Sequence, residues 1–224
     1  MKTVLITGGR GEIGQAIIAQ FRKADYQIIA PTREDLDLNQ PAVIEDEIIK
    51  QVATVDAFVH CAGINFPKPF VKIEPHEFSQ TLTVNAIAFY LITQALIKHE
   101  KLSRNGHILA ISSIYGDISR KGRFSYTASK YCLNGMVKNL ALELGPQGIK
   151  VNGLAPGFVE TSLTRRNNSS EIIAHMEKSI PLGHLAETDD IAKIAYFLAS
   201  EDNRYISGQT VIADGGYTAG GFQE

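Results

Sequence analysis

The sequence predicts a single α/β domain, a parallel sheet doubly wound by helices on both faces. Short apolar, β-branched runs alternate with longer stretches of helical periodicity along the whole chain, the pattern of parallel strands joined by crossover helices. No linker, composition shift, low-complexity tract or internal repeat divides the 224 residues. Apolar residues make up 44% and charged residues 21%, ordinary for a globule of a size that buries about 70% of its unfolded surface without metals or disulfides.

The elements follow in order. Residues 2–7 read as a buried strand, and 13–24 as a helix with Ile13, Ala16, Ile17, Phe21 and Ala24 at helical spacing. A second strand at 26–30 stops at Pro31. Pro41, favoured in a first turn, opens a helix with Val43, Ile44, Ile48 and Val52 on one stripe. A strand at 57–60 precedes a long helix over 75–100, with Phe78, Leu82, Ala86 and Phe89 on one face. A strand at 107–112, a second long helix at 125–144 ended by Gly145-Pro146, and a strand at 150–154 come next. Helices at 171–178 and 188–200 and a last strand at 210–213 complete the chain.

One interval breaks this rhythm. Only about half a dozen residues separate the second strand from Asp37-Leu38, whereas a crossover between neighbouring parallel strands takes at least about ten. The crossover helix between strands 2 and 3 is therefore missing, and any strand at 36–38 is vestigial.

Composition excludes several functions. A net charge of −2 argues against a protein that coats nucleic acid. An unbroken apolar run of about 20 residues is absent, so no membrane span is expected, and Met1-Lys2-Thr3 leads straight into the first strand without a signal segment. Cys61 and Cys132 make neither a disulfide framework nor a zinc spacing, so no metal is expected. The expectation is a cytoplasmic protein with no nucleic-acid or membrane partner.

Between the first strand and the first helix stands Thr7-Gly8-Gly9-Arg10-Gly11-Glu12-Ile13-Gly14. From Gly9 it reads G-x-G-x-x-G, the turn that lets backbone approach a pyrophosphate and directs helix N–H groups at it. In that strand–turn–helix context it predicts a Rossmann-like dinucleotide site rather than a plain tight turn. Glu12 is unwelcome beside a phosphate and is expected to point to solvent. About 20 residues further on, a carboxylate would select NAD and an arginine NADP. Thr32 occupies that position and Arg33 follows, which favours NADP(H) over NAD(H). The competing reading pairs Arg33 with Glu34 or Asp35 as a solvated loop.

Tyr126 and Lys130 stand at i and i+4 on the second long helix and share a face. Tyr-x-x-x-Lys alone is a weak signal, but Ser113 ends a strand just upstream, and ligands of parallel sheets sit at the carboxyl ends of strands.

With these residues in view the chain resembles the compact single-domain branch of the short-chain dehydrogenase/reductase family, nearly end to end. Tyr126-Thr-Ala-Ser-Lys130 resembles its Y-x-A-S-K motif, and Ile111-Ser112-Ser113 its serine strand, a 13-residue step before the tyrosine. Asn85 falls on the family's helical asparagine. Val151-Asn152-Gly-Leu-Ala-Pro156-Gly157-Phe-Val159-Glu-Thr161 resembles the segment that packs on the nicotinamide, and Ile206-Ser207-Gly208-Gln209 with Asp214-Gly215-Gly216 the C-terminal segment. The resemblance implies catalytic roles for Asn85, Ser113, Tyr126 and Lys130. It implies cofactor contacts at Gly8, Gly9, Gly11, Ile13, Gly14, Arg33, Asp37, Leu38, Ala62, Gly63, Asn85, Tyr126, Lys130, Pro156, Gly157, Val159 and Thr161. Tyr126 would exchange the proton, Lys130 would lower its pKa and hold the nicotinamide ribose, Ser113 would bind the substrate oxygen, and Asn85 would fix a relay water. Two departures stand out. Glu12 takes the place of a glycine in the family's turn, and His60-Cys61-Ala62-Gly63 replaces Asn-Asn-Ala-Gly, losing the asparagine that braces the sheet.

The implied function is hydride transfer between a nicotinamide and a carbonyl or hydroxyl carbon. Within the family, 3-oxoacyl-carrier-protein reductases are the nearest general resemblance, through 155–161. Arg120, Lys121 and Arg123 flank the site, and Arg165-Arg166 lie in a substrate lid at about 158–184. They are either solvated or suited to an anionic or carrier-bound substrate; Arg104 would dock an acidic carrier, whereas Gln147 is neutral. A sugar, polyol or nucleotide-sugar dehydrogenase is the alternative enzyme, and a non-catalytic dinucleotide sensor the alternative of another class. Phe89, Tyr90, Tyr131, Met136 and Leu140 are candidates for an outward apolar stripe, and the resemblance implies a homodimer or homotetramer.

Overall fold

The computed structural model describes residues 1–220; 221–224 of the expected domain lie outside the described residues. Six parallel strands form one sheet: β1 (Thr3–Thr7), β2 (Gln27–Ile29), β3 (Val55–His60), β4 (Leu102–Ile111), β5 (Lys150–Pro156) and β6 (Thr210–Ala213), in the order β2-β1-β3-β4-β5-β6. Alternation along β1 divides the core. Leu5 faces one side, with α2 (Pro41–Gln51), α4 (Ala88–Lys98) and α5 (Phe124–Leu144); Val4 and Ile6 face the other, with α1 (Glu12–Lys23) and α8 (Thr188–Leu198). Strands covered on both faces need continuous apolar runs, which is why these read so plainly in the sequence.

β2 is a three-residue strand at the sheet edge. Residues 31–40 form turns, with no strand at 36–38. The missing crossover is thus matched by a missing outer strand. α2 carries the chain from β2 over β1 to β3, and Leu36 is buried with Ile44 and Ile48 beneath it.

The expected helix over 75–100 is three pieces: α3 (Pro75–Leu82), a π-helical turn (Thr83–Ile87) and α4. By length and composition Pro75–Lys98 could cross a membrane, its most apolar 18 residues reaching a mean hydropathy of 1.3, but 56% of that stretch is buried inside the protein. This segment is core of the fold, and it corrects the expectation that no stretch is long and apolar enough to span a membrane. Phe89 is fully buried against Phe58, at a centroid distance of 6.0 Å. It therefore leaves the outward stripe, because its position within α4 turns it to the sheet. Met136 and Leu140 also pack partly on the core. Tyr90 and Tyr131 remain exposed, joined by Ile87 and Leu142.

The lid segment holds two helices, α6 (Ser162–Asn167) and α7 (Ser170–Ser179), where one at 171–178 was expected. Thr161 and Ser169 cap them, each accepting a backbone N–H. Ile173, Met176, Ile180 and Leu185 form a small core of their own.

Candidate active site

The expected site residues gather at the carboxyl ends of β1, β3, β4 and β5. The glycine turn leaves β1 at Gly8, whose φ is +72°. A Cβ there would stand 2.6 Å from Ala62 N, so left-handed backbone and close approach both demand glycine. At Gly14 a Cβ would stand 2.3 Å from Gly8 O, so this glycine closes the turn onto α1. Beside the turn runs a cleft of about 340 Å³. Gly8, Gly9 and Gly11 form one wall and Ala62 and Gly63 another. Arg33, Asp37 and Leu38 close the far end, and Cys61 also lines the cleft. Bare backbone walls at a helix N-terminus fit the diphosphate of a dinucleotide. Ile13 and Gly14 stand behind the turn. The β5 exit carries Pro156, Gly157, Val159 and Thr161 outside this cleft; the Val159 side chain is buried in the core, leaving its backbone for any ligand contact.

Four polar residues converge where the cleft ends. Asn85, fully buried in the π-turn, donates through Nδ2 to Ile64 O (2.9 Å) and Ser129 Oγ (3.0 Å) and accepts from Ile64 N (2.8 Å). Its side chain thereby ties the loop after β3 to α5. The second lone pair of Oδ1 is the acceptor capacity left to it. Lys130, 3% exposed, donates from Nζ to Ile111 O at 2.8 Å. Its ammonium lies 5.3 Å from the Tyr126 ring centroid. A Cβ on Gly63 would stand 3.6 Å from both Asn85 Oδ1 and Lys130 Nζ, so these groups face one small space. Ser113 Oγ accepts from Tyr115 N (3.2 Å), and Tyr115 meets Tyr126 edge to face at 6.3 Å. Upstream, Ser112 Oγ donates to Asn134 Oδ1 (2.7 Å) and Asn134 Nδ2 to Gly116 O (2.9 Å), pinning the serine loop to α5.

The electrostatics are those of a dry site. Burial pushes the Tyr126 phenol above its ordinary range, while the Ser113 hydroxyl and the Arg123 charge pull it down. Burial lowers Lys130 to about 8, with only a modest opposing pull from the Cys61 thiol. The Cys61 thiol is itself pushed up to about 11 by burial, which outweighs the Lys130 charge. Burial thus acts on both groups and disfavours the charge of each.

Both departures in the sequence acquire partners. His60 Nδ1 lies 2.9 Å from Thr7 Oγ1, bridging β1 and β3 where the family keeps an asparagine. Ala62 N–H already donates to Thr7 Oγ1 (3.4 Å), which leaves the hydroxyl proton for Nδ1. His60 is fully buried; burial and the Lys130 charge hold it down to about 3, so the ring is neutral. Glu12 is exposed, as expected, but its carboxylate is not free. Its carboxylate accepts from Ser162 N at 3.0 and 3.2 Å and from Ser162 Oγ. Arg33 is an exposed side chain whose Nε lies 3.5 Å from Asp37 Oδ1. Its partner is thus Asp37, while Asp35 accepts from Thr32 N.

Sequence reasoning missed a pair of buried brackets. Asn152 donates to Ile206 O (2.7 Å) and accepts from Gln209 N (3.2 Å). Asn203 donates to Leu198 O (3.2 Å) and Ile206 O (2.9 Å). Together they hold the chain entering β6. An asparagine inside the apolar run of β5 was the available signal for the first.

A glycine turn on a parallel sheet, with a serine at a strand end and a tyrosine and lysine one turn apart on the helix beside it, defines a dinucleotide-dependent oxidoreductase. The sequence profile of a family described as enoyl-(acyl carrier protein) reductase matches residues 13–218. The 3-oxoacyl-[acyl-carrier-protein] reductase FabG of Rickettsia bellii is 33% identical over 232 residues, covering 96% of each chain. That of Aquifex aeolicus is 33% identical over 96% of this chain and 86% of its own. Among solved structures, 4-hydroxyisoleucine dehydrogenase complexed with NADH superposes with a TM-score of 0.90 at 26% identity, covering 99% of this chain and 100% of that one. ElxO with NADP bound gives 0.87 at 28% identity over 98% and 99%. The chain belongs to the short-chain dehydrogenase/reductase family and is an NAD(P)-dependent oxidoreductase acting on CH–OH and C=O groups.

Proposed function

We propose that this protein is an NADPH-dependent reductase of 3-oxoacyl thioesters or closely related ketones, carried on a phosphopantetheine arm. The convergence of Ser113, Tyr126, Lys130 and Asn85 at the end of the dinucleotide cleft carries this reading. Relatives named 3-oxoacyl-[acyl-carrier-protein] reductase, matched over 96% of the chain, support the substrate class. When bound, NADPH supplies the hydride. Gly8, Gly9 and Gly11 would hold its diphosphate, Ala62 and Gly63 its adenosine side, and Arg33, Asp37 and Leu38 the adenine ribose end. Ile13 and Gly14 shape the turn, and Pro156, Gly157, the Val159 backbone and Thr161 flank the nicotinamide.

Ser113 Oγ donates a hydrogen bond to the ketone oxygen and holds the carbonyl in line. Tyr126 gives its proton to that oxygen as charge develops there. Lys130 would hold the nicotinamide ribose, and its charge would favour the phenolate that Tyr126 must pass through. Asn85 keeps the Ile64 loop and α5 in register and offers its remaining acceptor to a relay water. Arg123, at the start of α5, and exposed Arg120 and Lys121 suit an anionic arm; Arg165 is already paired with Glu160 at 2.7 Å. The exposed face of Ile87, Tyr90, Tyr131 and Leu142 suits a homo-oligomer, and the protein is assigned to the cytoplasm.

The test is oxidation of NADPH and NADH with 3-oxoacyl thioesters, free and carrier-bound, against sugars, polyols and nucleotide sugars. Turnover of the 3-oxoacyl thioester at a kcat/KM at least tenfold above the rest is expected. Faster turnover of a sugar or nucleotide sugar would overturn the substrate assignment.

A further inference from the structure

We infer that Glu12 is a latch that holds the lid helix α6 across the dinucleotide cleft and slows release of the cofactor. The inference rests on the reading of that cleft as the NAD(P)(H) site. Glu12 is the first residue of α1 and Ser162 the first of α6, 150 positions apart in the chain. Both carboxylate oxygens are used: Ser162 N reaches Oε1 at 3.0 Å and Oε2 at 3.2 Å, and Ser162 Oγ donates to Oε1. Among the described residues no other hydrogen bond joins α6 to the glycine turn. The remaining bonds of this segment stay on its own bank. Thr164 Oγ1 donates to Val159 O (2.8 Å), Thr161 Oγ1 accepts from Thr164 N (3.2 Å), and Arg165 pairs with Glu160.

A carboxylate beside Gly11 borders the ground that a diphosphate must occupy, where it would repel that ligand if left free. Its bonds to Ser162 tie the exit of β1 to the exit of β5, two strands separated in the sheet by β3 and β4. Glu12 thus stands where the family's pattern has glycine, a residue that could make no such bond. A cofactor seated under α6 leaves only when the lid swings away from the turn, and that motion breaks these charge-assisted bonds. Lids that gate release govern turnover in many enzymes.

Two opposite signs follow. If Glu12 acts as a latch, its removal speeds release; if it acts only as a fixed negative charge, its removal slows release. Stopped-flow displacement of fluorescent NADPH and NADH separates them. Glu12→Ala is expected to raise the release rate by about three- to tenfold, the range for charge-assisted bonds screened at a surface. Ser162→Ala is expected to raise it less, because the backbone bonds remain, and Glu12→Ala with Ser162→Ala to add nothing to Glu12→Ala alone. Without any dinucleotide, trypsin should cut after Arg165 and Arg166 faster in Glu12→Ala than in wild type at an unchanged thermal midpoint. Unchanged or slower release in Glu12→Ala, or equal tryptic rates, would overturn the latch. Failure of wild type to bind either dinucleotide would instead overturn the reading of the cleft, while the tryptic comparison still tests the clasp.

Discussion

The two ends of the cleft are built on opposite terms. At the reacting end Asn85 and Ser129 are fully buried, Lys130 nearly so, and each is bonded within the protein. At the adenosine end a three-residue edge strand gives way to turns, and the Arg33 side chain is 75% exposed. The difference teaches where rigidity is needed. Proton and hydride transfer tolerate little displacement of the reacting groups, so those groups are fixed by burial even though burial disfavours the charge of Lys130. Recognition of a ribose or its phosphate can be left to a solvated loop, because a charge pair across water still discriminates.

The sharpest way to test the reacting end is Tyr126→Phe. It removes the transferable proton and keeps the ring that packs on Tyr115. kcat is expected to fall by about 10²–10⁴ with the unfolding midpoint unchanged. Near-normal turnover would break the assignment of the reacting end.

Lys130→Met tests the cost of burial. Lys130 is lowered from 10.5 to about 8, so below pH 8 it stays charged in both folded and unfolded chains, and the folded state bears the penalty. Between pH 8 and 10.5 the folded lysine is neutral while the unfolded one still holds its proton, so wild-type stability should rise with pH in that window. At pH 7 the methionine variant is expected to be more stable by up to about 3 kcal/mol. The stranded Ile111 carbonyl offsets about 1 kcal/mol of this. Turnover should be lost. Urea unfolding at pH 7 and 9.5 reads both effects; a variant less stable than wild type at pH 7 would deny that burial strains the lysine.

The reacting end was also the legible end. Tyr126 and Lys130 sit one helical turn apart, and Ser113 follows an apolar strand, so local spacing carried them. What stayed hidden depends on contacts between distant segments. The partner of Glu12 is 150 residues away, and local electrostatics alone sends that carboxylate to solvent. Phe89 was a candidate both for the face of Phe78, Leu82 and Ala86 and for an outward stripe, and only its packing on Phe58 of the sheet decides between them. Asn85 was legible only through the family resemblance; its bonds to Ile64 and Ser129, from either side, were not. The absent outer strand was visible as a loop too short for a crossover, because chain length is itself a geometric constraint.

His60 lies between the two ends and joins them, through Thr7 to the glycine turn and through its neighbour Phe89 to α4. Held down to about 3 from 6.5, it stays neutral in the folded protein while the unfolded chain takes up a proton below pH 6.5. Wild-type stability should therefore fall as pH drops from 6.5 towards 3, by about 2 kcal/mol at pH 5 from this residue alone. His60→Leu keeps much of the volume and abolishes that part of the slope, at a cost of about 1 kcal/mol at pH 7 for the lost bond to Thr7. Parallel slopes for the two proteins between pH 7 and 5 would show that His60 is not buried and neutral.

The smallest expected effect belongs to the exposed end. A guanidinium can hold a 2′-phosphate by two parallel bonds, worth about 1.5–3 kcal/mol when charge-assisted. Arg33 begins from an ion pair with Asp37 at 3.5 Å and from a largely solvated position. Bonds with Asn39 come first among the causes that hold the Asp37 carboxyl below its usual range, so Asp37 stays charged and competes for the guanidinium. The preference for NADPH over NADH should then lie near the lower limit, about tenfold. Titrating both cofactors against wild type, Arg33→Ala and Asp37→Asn separates the contributions. Arg33→Ala should bring the ratio to about one, and Asp37→Asn should raise it by freeing the guanidinium. A ratio unchanged in Arg33→Ala would move cofactor choice away from this loop, and the contrast between a rigid reacting end and a discriminating exposed end would not hold.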